Sequence, residues 1–376
     1  MKITDIRTTI VKGNFEWTLV KVYTDENING LGESYWGAGV VEVIERLKRS
    51  LIGENPLNVE RLYQKMYRGC IPIGSIAGTV VTAISGIEIA LWDILGKKLD
   101  CPVYTLLGGE YRRKIKVYAD CGSPPDGDPE SYVKRVKKVI EMGYKAVKID
   151  INPISSRNAR DPYNRRITSN DIEHMVKVVE TVREAIGDEI DLAVDCHWQF
   201  TPSDAIKLAN KLEAYDLMWM EDPIPPENVD ALVKVSRKTN IPICTGENLY
   251  TRYGFKDIIE KQAVDVVSPD IPRAGGLSEC KKIADMADLY YILFAPHNVS
   301  TPIGTIASAH VCAAVPNFLV IEFHSVEVPW WSAIVKGYSE VIRDGYIELK
   351  DKPGLGLELN REVVEKHLKE GEELFP

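Results

Sequence analysis

The chain has 376 residues, which exceeds one average domain, so about two folded units are expected. Apolar residues make up 45% and charged residues 27%, the ordinary balance of a globular protein, and a net charge of -9 argues against nucleic acid or an anionic membrane as partner. No apolar run is expected to span a bilayer, and Met1-Lys2-Ile3-Thr4-Asp5 does not open a signal peptide, so a cytoplasmic protein is expected.

The chain begins with two alternating apolar–polar stretches, 2–11 and 17–25, around Gly13-Asn14. They predict an antiparallel hairpin, closed by Gly30-Leu31-Gly32-Glu33-Ser34-Tyr35-Trp36. Helical spacing follows from about Val40 to Lys98 and is strongest over Ala77–Lys98, where Asp100-Cys101-Pro102 stops it. Strands followed by helices predict an α+β unit over residues 1–113.

From Lys114 the pattern changes. Eight short apolar runs, Ile115–Cys121, Ala146–Ile151, Ile190–Cys196, Leu217–Glu221, Pro242–Glu247, Val264–Asp270, Tyr291–Pro296 and Phe318–Phe323, alternate with amphipathic stretches such as Ser169–Ile186. Eight βα units predict an α/β fold, a (β/α)8 TIM-type barrel over 114–325, with the N-terminal unit as its cap. The segment 326–376 is expected to return to the cap and complete it. The seven cysteines are scattered without a Cys-x-x-Cys pair and read as reduced, mostly buried thiols.

A barrel of this type carries its site at the C-terminal ends of its strands. There the chain places Lys148 and Asp150, Asp195 and His197, Glu221 and Asp222, Glu247, Asp270, His297, and Glu322 and His324. One strand-end acid is more often a helix cap or salt-bridge partner, but ionisable groups at seven of the eight ends make that account hard to sustain for the set. Asp195, Glu221 and Glu247 recur at about one βα unit's spacing and could hold a hard divalent cation. Asp270, one strand before His297, is placed to orient its ring.

These residues resemble the mandelate racemase branch of the enolase superfamily over nearly the whole chain. Ser85–Lys97 with Pro102–Gly109 is similar to the family's join between cap and barrel, and Gly143–Asp150 to its second strand. Trp219-Met220-Glu221-Asp222-Pro223 and Gly246-Glu247-Asn248 resemble metal-ligand motifs, and Pro269-Asp270 with Pro296-His297 an Asp–His dyad. The resemblance implies Mg2+ on Asp195, Glu221 and Glu247, His297 as acid or base, and Glu322 near the substrate carboxylate. Asp195-Cys196-His197 is similar to the pattern of acid-sugar dehydratases, archaeal aldonate dehydratases among them, where this His is the general acid. Racemases of the branch carry a second Lys where this chain has Asp150, which speaks against two-base racemisation.

The expected activity is therefore Mg2+-dependent dehydration of a sugar acid such as arabinonate, gluconate or galactonate. Within the superfamily the alternative is a racemase, epimerase or cycloisomerase, and outside it a non-catalytic sugar-acid or metal-binding scaffold. A metallohydrolase is disfavoured because no His-x-His follows the first strand. Lys148, Asp150, Tyr163, Trp36 and His324 are expected to contact the substrate, with the basic loop 152–168 as a lid or subunit contact. A homo-oligomer is expected, of a size that the sequence does not fix.

Overall fold

The computed structural model describes residues 1–73, 76–153 and 166–376. Its first unit is an antiparallel sheet of β1 (Ile3–Lys12), β2 (Glu16–Thr24) and β3 (Gly30–Ser34). It packs on helices α1 (Val40–Leu51), α2 (Val59–Cys70) and α3 (Thr79–Lys98). The glycines of β3 explain how closely α3 lies on the sheet. A Cβ on Gly30 would stand 2.0 Å from the Ala90 carbonyl oxygen, and one on Gly32 2.1 Å from that of Gly86. Contrary to the sequence expectation, α3 does have the length and apolarity of a membrane span, but it is the mostly buried core helix of this unit.

A short helix, α4 (Val103–Leu106), leads into the barrel. Its strands are β4 (Lys114–Asp120), β5 (Ala146–Asp150), β6 (Asp191–Asp195), β7 (Leu217–Glu221), β8 (Ile243–Thr245), β9 (Val266–Val267), β10 (Leu293–Phe294) and β11 (Ile321–Phe323). Neighbours pair in parallel in the order β10-β9-β8-β7-β6-β5-β4-β11. The Phe294–Phe318 bridge, with Leu319 N–H donating to the Phe294 carbonyl at 2.9 Å, joins β10 to the stretch before β11 and closes the ring. The last four barrel strands are two or three residues long, shorter than their apolar runs in sequence.

Between the strands lie α5 (Pro129–Glu141), α6 (Ser169–Ile186), α7 (Pro202–Leu212), α8 (Val229–Ser236), α9 (Thr251–Glu260), α10 (Ile271–Ala274), α11 (Gly276–Asp288) and α12 (Pro302–Ala313). Their starts are written locally. Asp128-Pro129, Thr201-Pro202 and Thr301-Pro302 each put a side-chain acceptor at the N-cap and a proline in the first turn. Thr168 and Asp171 make a reciprocal capping box on α6. Inside the ring, Tyr118, Ala146, Ala193, Trp219, Cys244, Val266, Ala295 and Val320 form a packed layer, so the barrel is a core and not a pore.

Two carboxylates from the first unit lock it to the barrel. Glu33 on β3 accepts from Thr301 N–H and Gly304 N–H, each at 2.9 Å, and from the Thr301 hydroxyl, at the start of α12. Glu88 on α3 accepts from Leu277 N–H at 2.8 Å, Ser278 N–H at 3.0 Å, the Ser278 hydroxyl at 2.6 Å and the Trp92 indole at 2.7 Å, at the start of α11. Each therefore caps a helix of the other unit and meets the positive end of its dipole. Burial nevertheless raises both carboxyls to about 7. Together they hold the first unit over the barrel's mouth.

The last segment touches both units. Strand β12 (Val335–Lys336) pairs with β14 (Glu358–Leu359), while β13 (Tyr346–Glu348) runs antiparallel to β4 at the foot of the barrel. Leu355 N–H donates to Asp93 of α3 at 2.9 Å, and Leu368 bridges Val11 of β1. A final helix, α13 (Arg361–Lys366), precedes the C-terminus.

Candidate active site

Alternation along a strand sends every second residue inward, and the last inward residue of each barrel strand reaches the mouth. Asp195 ends β6, Glu221 ends β7, and Glu247 follows β8 by two residues. All three are buried, and one carboxylate oxygen from each lies within 4.8 Å of the others. Trp219, two residues below Glu221 on the same face, donates its indole N–H to Glu221 Oε2 at 2.8 Å and fixes that carboxylate from the barrel floor. Glu221 Oε1 is buried with no hydrogen-bond partner among the described residues. A converging set of hard oxygen donors with one orphaned oxygen is the chemistry of a divalent oxygen-seeking cation, so these residues fit such an ion.

Lys148 enters this ring from β5. Its buried Nζ lies 3.1 Å from Asp195, 3.1 Å from Glu221, 3.0 Å from Glu322 and 3.4 Å from Asp120. Burial by itself would discharge the ammonium, but Glu221 and then Glu322 outweigh it and hold its pKa well above the ordinary lysine value. Burial raises Glu221 and Glu322 in turn, so the site is a dense cluster of charges short of positive partners.

His297 follows β10. Its Nδ1 lies 2.7 Å from Asp270 Oδ2, and its Nε2 points into the site, 3.4 Å from Glu247 and 3.7 Å from Glu322. Burial opposes charging the ring, but Glu247, Glu322 and the hydrogen bond to Asp270 prevail and push it up to about 10. The effect is mutual, since against its burial His297 holds Glu247 below the usual carboxylate range.

His197 stands four strands from His297 in either direction around the ring, hence across the mouth from it. Its side chain is 41% exposed, with Nδ1 3.5 Å from Asp195 Oδ1, and its own N–H donates to that oxygen at 2.9 Å. His197 and Trp198 both have positive φ, 45° and 57°, a sharp turn for two non-glycine residues that lifts the imidazole over the first carboxylate.

The remaining expected contacts divide. Asp150 lies beside Asp195 in register, and burial and then Asp120 raise its pKa well above the ordinary value. His324 sits at the rim, 4.0 Å from Asp120 and edge-on to Phe15 at 5.2 Å. Trp36 is 45% exposed above the mouth and stacks between Phe15 at 6.1 Å and Tyr35 at 5.7 Å. Trp17 is core, its indole N–H donating to the Val299 carbonyl at 2.7 Å. Tyr163, with Arg157, Arg160 and Arg165 of the proposed lid, lies outside the described residues.

Three site residues were missed or given no role from sequence. Asp120 ends β4, whose apolar run was carried on through Cys121. The alternation that turns Tyr118 inward should have singled out Asp120 two residues on. Asp222, with φ 43°, accepts from the Thr245 hydroxyl, and its buried Oδ2 has no hydrogen-bond partner among the described residues. Arg273, in α10 after Asp270, was given no reading from sequence.

Comparison with known proteins accords with this architecture. The N-terminal domain model of the mandelate racemase / muconate lactonizing enzyme family matches residues 6–108, and the enolase C-terminal domain-like model matches 131–363. The chain belongs to the mandelate racemase branch of the enolase superfamily. Among its relatives, the D-xylonate dehydratase of Haloferax volcanii is 48% identical over 375 residues, 100% of this chain and 90% of that protein. The D-gluconate/D-galactonate dehydratase of Picrophilus torridus is 32% identical, over 95% of this chain and 90% of that protein. A mandelate racemase/muconate lactonizing enzyme-like protein of Rubrobacter xylanophilus superposes with a TM-score of 0.95 at 44% identity, covering 100% of this chain and 99% of that one. The capped barrel expected from sequence is thus the fold of this enolase branch.

Proposed function

We propose that this protein dehydrates a sugar acid, an aldonate of five or six carbons, to a 2-keto-3-deoxy acid. The observation that carries the reading is the placement of two histidines on opposite sides of the ring, His297 held by Asp270 and His197 held by Asp195, with a triad of buried carboxylates and Lys148 between them. The named relatives act on xylonate, gluconate and galactonate, which supports this substrate class.

A proton alpha to a carboxylate is very weakly acidic, and removing it builds a second negative charge. Asp195, Glu221 and Glu247 would hold Mg2+, which when bound supplies positive charge against the enediolate and relieves Glu247 as counter-ion to His297. The handling of charged lysine, histidine and carboxylate groups in the enolase superfamily is a known pattern of such chemistry. Lys148 Nζ, deep in the ring, binds the substrate carboxylate and fixes C1 at the floor. His297 Nε2 takes the C2 proton, while Asp270 keeps the ring oriented and supports the imidazolium that forms. His197, on the far side, gives a proton to the 3-hydroxyl as the C3–O bond breaks and water departs. The electron pair of the enediolate forms the C2–C3 double bond, and the resulting enol tautomerises to the ketone. The cap aromatics Phe15, Tyr35 and Trp36 cover the mouth against bulk water.

His197→Asn tests the division of labour. In D2O the variant is expected to keep exchanging the C2 proton while dehydration falls roughly 100- to 10,000-fold, the range of a lost general acid. Dehydration at close to the parental rate would show that His197 is not the acid.

A further inference from the structure

Strand order places β9 four steps from β5 in both directions, so the loop after β9 faces Lys148 across the mouth. That loop carries Arg273. Its Nε donates to the Tyr250 hydroxyl at 2.9 Å, and its guanidinium lies over the rings of Tyr35 at 4.8 Å and Tyr250 at 5.3 Å. Tyr35 in turn lies 6.1 Å from the His297 ring, so one aromatic ring separates the guanidinium from the imidazole.

Arg273 is half-buried, yet among the described residues it has no carboxylate within ion-pair distance, although arginines elsewhere in the chain pair readily. Among the described residues its terminal nitrogens have no hydrogen-bond acceptor. The Tyr250 hydroxyl accepts from Arg273, which leaves its own proton to donate elsewhere. A partly desolvated guanidinium gripped between two tyrosines, with its fork unused, is pre-organised for two oxygens on one ligand. The backbone reinforces this position, since Tyr35 N–H donates to the Pro272 carbonyl at 3.0 Å and ties the cap to the same loop.

We infer that Arg273 and Tyr250 form a subsite for the hydroxylated tail of the substrate, opposite the carboxylate end, and that this pair sets the chain length accepted. The inference rests on the sugar-acid reading above. Lys148 fixes C1, the two histidines fix C2 and C3, and the carbinols beyond C3 extend toward the strand opposite Lys148. A substrate that ends at C4 offers the fork one oxygen at most. One carbon more offers a vicinal pair.

The test compares kcat/KM for a tetronate, a pentonate and a hexonate of matched C2 and C3 configuration, in the parent, R273K, R273M and Y250F. The parent is expected to favour the pentonate over the tetronate by roughly 10- to 100-fold, the worth of hydrogen bonds to a charged donor. R273M should bring that ratio to within about threefold, chiefly through KM, with Y250F and R273K intermediate. Y250F and R273K keep the ring stack and the charge respectively, so they report on the subsite even where R273M folds poorly. If the variants lose activity on every chain length by one common factor, the pair is structural and the subsite is overturned. If the parent turns over no sugar acid of any length, the sugar-acid reading falls and the subsite falls with it.

Discussion

His310 gives a prediction whose size follows from the structure. It lies in α12, fully buried, where its Nδ1 accepts from Tyr104 N–H of α4 at 3.1 Å and its Nε2 faces the Leu355 carbonyl at 3.4 Å. It therefore fastens the linker and the C-terminal segment to the barrel, and only the neutral ring with its proton on Nε2 satisfies both contacts. Burial lowers its pKa to about 4, against the weaker opposing pull of the Leu355 carbonyl. A folded pKa below the unfolded one means that the unfolded chain binds the extra proton first. Stability from this residue is complete above about pH 6.5 and is lost as pH falls toward 4. The gap from 6.5 to about 4, at 1.36 kcal/mol per pH unit, comes to about 3 kcal/mol in full and about 2 kcal/mol at pH 5. The assay is urea unfolding of the parent and His310→Asn at pH 8 and pH 5. The variant pays a packing cost of about 1 to 2 kcal/mol at pH 8. Its loss between pH 8 and pH 5 should nevertheless be about 2 kcal/mol smaller than the parent's. Every other titrating group is common to both proteins and cancels in the difference. Equal pH dependence in the two proteins would refute a neutral buried His310.

Glu88→Ala removes the acceptor for two backbone N–H groups, a hydroxyl and an indole at the cap–barrel junction, and should lower stability by about 2 to 4 kcal/mol, read as the midpoint of urea unfolding. A change below about 0.5 kcal/mol would mean that the junction does not depend on this trans cap. Lys148→Met leaves four carboxylates without their shared ammonium, so the metal-free protein should lose about 3 kcal/mol or more. Added Mg2+ should then raise its melting temperature further than the parent's, because the ion relieves a larger repulsion. Equal magnesium shifts in the two proteins would contradict that account of the site.

Much of this was readable before the fold was known. Strand ends could be placed because seven of the eight apolar runs end at or beside an ionisable residue, and Asp195, Glu221 and Glu247 stand at such stops. The helix starts are local as well, since the Thr-Pro and Asp-Pro pairs that the structure shows at three of them act within one turn of chain. What the sequence concealed depends on distance through space. Lys148 reads as a substrate contact, but its place among four carboxylates follows from the closing of the ring. Glu33 and Glu88 look like ordinary polar residues of a strand and a helix, because the helices that they cap begin about 190 to 270 residues later. Arg273 drew no notice because its two tyrosines come from different loops. The membrane-like apolarity of α3 shows the converse, since only its contacts identify it as the core of the cap.

The central claim is that two opposed histidines and a carboxylate-bound cation remove water from a sugar acid. Its most direct test is incubation of the purified protein with Mg2+ and each of D-xylonate, D-arabinonate, D-gluconate and D-galactonate in D2O, with the products followed by NMR. The account predicts a 2-keto-3-deoxy acid from at least one of them, abolished by a chelator and restored by Mg2+. Exchange or inversion at C2 with no loss of water from any of the four would contradict it.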